Sequence, residues 1–165
     1  MKAIIFLILI QLFLPLWVVP QEFSGNSLLE EAEKQFSENK DSALVLVNKA
    51  IRQSKSTNDT ATYYESNILK SYLLKNIGSK TEAMKLARKM LKEAREDQIK
   101  VYEAKYLKTL GEINRAISSL EASLSYLYEA LKTFRNIQDK KGMAESYNRL
   151  RSEEHTSELQ SLLII

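Results

Sequence analysis

The chain has no cysteine, so disulfides, thiolate metal sites and a cysteine nucleophile are excluded. Proline is almost absent: there are two, Pro15 and Pro20, and neither lies in the long stretch from Gln21 to Leu150. Glycine numbers only four in 165 residues. A body so poor in both helix breakers suits continuous helix. The single histidine, His155, stands near the C-terminus, which leaves residues 21–150 without a His-based triad or a His metal site. No Gly-rich phosphate loop is present either. Charge of one sign is lacking as well: Lys and Arg number 24 against 21 acids, a formal net charge of +3.

One long apolar run does exist, at the start: "MKAIIFLILIQLFLPLWVVPQEF". A lone Lys2 precedes Ala3 to Val19, broken only by Gln11 and Pro15. This is the layout of a secretory signal, a basic lead followed by an apolar core and a polar boundary. The run also reaches the lower limit for a membrane span. Residues 1–20 therefore read as a signal peptide or an uncleaved signal anchor. Either way the body is expected outside the cytoplasm, periplasmic or membrane-anchored.

The body repeats itself. Ala43, Ala83 and Ser123 are spaced by 40, as are Val47, Ala87 and Leu127, and Ala50, Met90 and Ala130. Ile51, Leu91 and Leu131 follow the same spacing. Within each segment these positions fall on one face of a helix, small residues first and bulkier ones after. Ala104 with Ala144, and Leu110 with Leu150, extend the period to the preceding helices. The pattern predicts helices near 27–37, 41–55, 60–77, 80–96, 98–116, 119–137 and 140–150. Ser27 with Glu30, Ser79 with Glu82 and Ser118 with Glu121 are candidate capping boxes. Asp59 or Thr60 offers a further cap.

These residues resemble the tetratricopeptide repeat family. Leu110 and Gly111 fit its first-helix motif, and Ser123, Leu127 and Ala130 its second helix. Ala83, Ala87 and Met90 fit in the middle repeat, and Ala43, Val47 and Ala50 in the first. Lys70 and Ser71 depart from the motif, and the period is longer than the family's usual one. The resemblance implies an all-α, right-handed α-solenoid of antiparallel helical hairpins. Residues 21–150 would hold three hairpins and the first helix of a fourth. It also implies a protein- or peptide-binding module, not an enzyme, with no cofactor or metal. Tyr64, Tyr72 and Tyr106 are the candidates for lining its groove, where amphipathic rings serve binding. Exported bacterial proteins of this kind resemble the sensory N-terminal parts of membrane signalling proteins, histidine kinases or helix-turn-helix regulators. A free periplasmic or surface scaffold without an output domain is the alternative.

Two readings concern charge and the C-terminus. The densest basic stretch, "KLARKMLKEAR", interleaves its cations with Glu, so no nucleic-acid surface is expected in this segment. Residues 151–161, "RSEEHTSELQS", continue no repeat. Aligned on the period, Arg151 stands where Gly111 predicts glycine. One back-translation of all eleven residues resembles the adapter DNA ligated to fragments for short-read sequencing. Residues 151–165 are therefore read as a non-native tail on a chain cut at Leu150. The missing partner helix is expected to leave Leu127, Leu131 and Phe134 partly uncovered, and to favour self-association at that end.

Overall fold

The computed structural model describes residues 24–162. Residues 1–20, expected to be a signal peptide or anchor, and residues 163–165 lie outside the described residues. All regular structure among the described residues is α-helical. The helices are α1 (Gly25–Gln35), α2 (Lys40–Ser56), α3 (Thr60–Asn76), α4 (Lys80–Glu96), α5 (Lys100–Ala116), α6 (Leu120–Asn136) and α7 (Lys140–Leu162). No described helix is long and apolar enough to cross a membrane.

From α2 onward the helices begin every twenty residues, and α2 to α6 are each 17 residues long. The turns explain this regularity. Asn58, Gln98, Ser118 and Gln138 adopt positive φ of 55°, 58°, 62° and 58°, and Gly78 takes the equivalent place. At the four non-glycine turns the next residue then donates its N–H to a carbonyl five positions back. Asp59 bonds Ser54 O at 2.8 Å, Ile99 bonds Ala94 O at 2.9 Å, and Ser119 and Asp139 do likewise. This left-handed helix stop satisfies carbonyls that would otherwise be orphaned. Each stop turns the chain at once into the next helix.

The stops, more than side-chain boxes, set the helix starts. Ser24, not Ser27, caps α1, by accepting from Ser27 N. Ser118 is a turn residue, and neither Ser79 nor Ser119 makes a side-chain cap bond. Asp59 does cap α3 through Thr62 N; the Thr62 side chain first, and that backbone bond second, hold its carboxyl below the usual range. A left-handed conformation costs an L-residue about 1–2 kcal/mol, part of which glycine recovers. Gln98 and Gln138 are exposed. Replacing either by Gly should therefore stabilise the chain by about 0.5–1 kcal/mol, read as a raised midpoint in urea unfolding.

Every helix packs on its chain neighbours, and the odd-numbered helices also touch one another: α1 with α3, α3 with α5, α5 with α7. No even-numbered pair approaches backbone to backbone in this way; α4 and α6 are linked instead by the long side chains of Arg95 and Glu129, at 2.5 Å. The molecule thus has a closer odd layer and a more splayed even layer. The seam between them holds the core. Ala43, Val47 and Ala50 on α2, and Ala83, Ala87 and Met90 on α4, are buried there, as are Leu127 and Ala130 on α6. Leu110 and Gly111 are buried on α5. A Cβ at Gly111 would lie 2.8 Å from Leu127 Cγ. Only glycine admits α6 this closely, and Ser123 Oγ donates to the Gly111 carbonyl at 2.9 Å.

The C-terminal end differs from the sequence reading in two ways. Helix α7 does not stop at Leu150 but runs on to Leu162. Nothing between them breaks a helix, since the stretch holds neither Gly nor Pro. Leu127, Leu131 and Phe134 are not uncovered; they are 1%, 6% and 1% exposed. Gly142 is the reason at Phe134, because its missing side chain lets α7 press onto that ring. Met143 and Leu150 cover the two leucines.

Candidate binding groove

The odd layer carries a groove of about 310 Å³ across α3, α5 and α7. Ile68, Val101 and Phe134 make its apolar lining. Tyr72 and Thr109 add hydroxyls, with 3.5 Å between them. Charged groups also line it: Glu65 from α3, Lys105 and Lys108 from α5, Lys141 and Glu145 from α7. They are arranged as ion pairs bridging neighbouring odd helices. Lys105 donates to Glu65 across α3 and α5, and Lys108 to Glu145 across α5 and α7.

A second cluster lies beside the first on the same three helices. Glu112 is 6% exposed. Its carboxylate meets Arg149 of α7 at 3.0 Å and Lys75 of α3 at 3.9 Å. A buried carboxylate held between two cations ties three helices together, since losing it would leave the part-buried Lys75 ammonium without its partner. Burial pushes the Lys75 ammonium below its ordinary range, against the opposing pull of Glu112. Lys75 also stands over the Tyr72 ring, 4.9 Å from its centre. Burial first, and the Glu112 charge second, push the Tyr72 hydroxyl well above its usual range; it accepts from Thr109 Oγ1 at 3.5 Å.

Of the three tyrosines assigned to the groove by sequence, only Tyr72 lines it. Tyr64 and Tyr106 are 1% and 0% exposed and belong to the core. The Tyr64 hydroxyl donates to Asp97 at 2.6 Å, and the Tyr106 hydroxyl to the Tyr64 carbonyl at 2.7 Å. Tyr64 and Tyr102 stack at 4.6 Å. These rings fill the joint between α3 and α5, where the odd helices approach most closely, and so are closed to a ligand.

The sequence reading passed over Ile68, Lys105, Lys108 and Glu145. A signal for the charged ones was present. Glu65 and Lys105 lie 40 residues apart, and Lys108 and Glu145 lie 37 apart. Opposite charges about one period apart on first helices mark contacts between repeats.

Chemically, the groove offers ammonium donors and carboxylate acceptors in alternation above an apolar floor. Its lysines neutralise its carboxylates, which suits recognition of a polar extended chain more than proton transfer. No group of residues suited to a metal occurs among the described residues. No family model matches this chain, and no curated protein matches it significantly.

Proposed function

We propose that the chain is a right-handed α-solenoid of tetratricopeptide-like hairpins that binds an extended peptide segment in the groove of its odd layer. The observation that carries this reading is the groove itself: three successive odd helices contribute paired charges and an apolar floor to one channel. The layered contacts support the solenoid. So does the burial of small residues at a 40-residue spacing, with Gly111 closing one hairpin against Leu127. Within the same proposal, the apolar N-terminal run exports the body, and the whole serves as the sensory part of a membrane signalling protein. Residues 151–161 remain proposed as non-native: Leu150 is buried like Leu110, yet Arg151 is exposed where Gly111 is buried.

The test is selection from a random peptide library on the wild-type chain, followed by affinity measurement on variants. Lys108→Glu combined with Tyr72→Ala should weaken a selected peptide by about tenfold or more, because charged hydrogen bonds are each worth about 1.5–3 kcal/mol. Lys34→Glu, on exposed α1 surface, should leave affinity unchanged. Equal binding by the groove variant, or failure to enrich any peptide, would refute the reading.

A further inference from the structure

The outer face of the even helices has one dominant sign of charge, which the sequence alone concealed. On α4, Lys85, Arg88, Lys89 and Lys92 are all exposed. Glu93, which interrupts them in sequence, is half-buried, in a pocket that Tyr63 and Lys55 also line. The interleaving is therefore weaker on the folded surface. One of these positions is basic on both neighbouring even helices: Arg52, Lys92 and Lys132 are spaced by 40 and all exposed. Lys49 on α2 matches Lys89, while α6 carries Glu129 at that position. The acids on this side are placed apart or already engaged. Asp41, Glu82 and Glu121 sit in the first turns of α2, α4 and α6, forming one rim. Glu96 pairs with Lys92 at 3.6 Å, and Glu129 with Arg95.

We propose that this face docks onto an anionic lipid headgroup layer. It lies on the layer opposite the groove and does not need the groove to bind a peptide, but it rests on the proposed reading that the apolar N-terminal run brings the chain to a membrane. Two features favour lipid over nucleic acid. The cations are mostly lysines, compact point charges suited to a diffuse headgroup layer, whereas base readout favours the planar fork of arginine. In sequence, the apolar run ends at Val19, five residues before α1. With that run in a bilayer, a connection of about 18 Å at most would hold the body beside the headgroups. Each cation near such a surface then adds attraction that salt screens.

The experiment is lysine footprinting of the full chain. It is mixed with vesicles of phosphatidylcholine alone or with phosphatidylglycerol, treated with a water-soluble acylating reagent, and read by mass spectrometry. With phosphatidylglycerol, acylation of Lys85, Lys89, Lys92 and Lys132 should slow by about fivefold, and salt of about 0.5 M should abolish the effect. Lys34 and Lys140 should react at the same rate throughout. In a second measurement, Arg52→Glu, Arg88→Glu and Lys132→Glu together should remove the protection of Lys85 and Lys89 while helicity is retained. Equal reactivity with both vesicles, protection with neutral vesicles too, or protection only by added duplex DNA would overturn the proposal. So would protection that survives the triple substitution.

Discussion

Tyr106→Ala is expected to cost the folded chain about 4 kcal/mol, the upper range for removing a buried aromatic side chain. The side chain is 0% exposed. Its ring meets the Tyr64 ring edge-on at 6.1 Å, and its hydroxyl donates to the Tyr64 carbonyl at 2.7 Å. Truncation therefore opens a cavity between α3 and α5, at the centre of the odd layer. It also leaves a buried carbonyl without its side-chain donor. Tyr106→Phe separates the two effects: it keeps the ring and loses only the hydrogen bond, at about 1 kcal/mol. Urea unfolding of both variants checks the pair. A loss near 1 kcal/mol for the alanine variant would mean that this ring is solvated, as a groove residue would be.

That ring also shows how far the sequence carries. The even helices were legible because each has one apolar stripe facing one seam, so Ala43, Val47 and Ala50 and their counterparts stand out at helical spacing. Helix α5 touches α3, α4, α6 and α7. Its buried residues run nearly round the helix, from Tyr102 and Ala104 to Ile113 and Asn114. No stripe then marks which side is the groove, and Tyr106 and Tyr72 cannot be told apart by spacing. The turns were hidden for another reason. Gly78 announces a left-handed stop, but Gln98, Ser118 and Gln138 adopt the same conformation with side chains that give little sign of it. Their φ is imposed by the helices on either side. The charge of the even layer was hidden in part by Glu93, which counts as surface charge in sequence but is half-buried in the fold, while its neighbours Lys89 and Lys92 stay exposed.

The two layers thus carry different chemistry on one repeat. In the odd layer, charges meet across helices and are spent on each other, as in Lys75, Glu112 and Arg149. In the even layer, Arg95 meets Glu129 and Lys92 meets Glu96, but Lys85, Arg88, Lys89 and Lys132 stay exposed to solvent. A peptide in the groove and an anionic surface on the far side can be engaged together, because no residue lining the groove belongs to the outer basic face.

The whole account rests on the 40-residue register, and the sites that test it are the small residues in the seam. Ala87 on α4 and Ala130 on α6 are both 0% exposed. Both face the first helices across a gap with no room for a ring. Phe at either position should overpack the joint and cost about 3 kcal/mol, by forcing helices apart or neighbours off their rotamers. Lys85 and Lys132, one turn or less away on the same helices, are exposed. Phe there should cost about 0.5 kcal/mol or less. The decisive measurement is the unfolding free energy of these four single variants against the wild type. The account predicts large losses for Ala87→Phe and Ala130→Phe beside near-neutral Lys85→Phe and Lys132→Phe. Equal losses at all four sites, or the reverse order, would contradict the register and with it both faces built upon it.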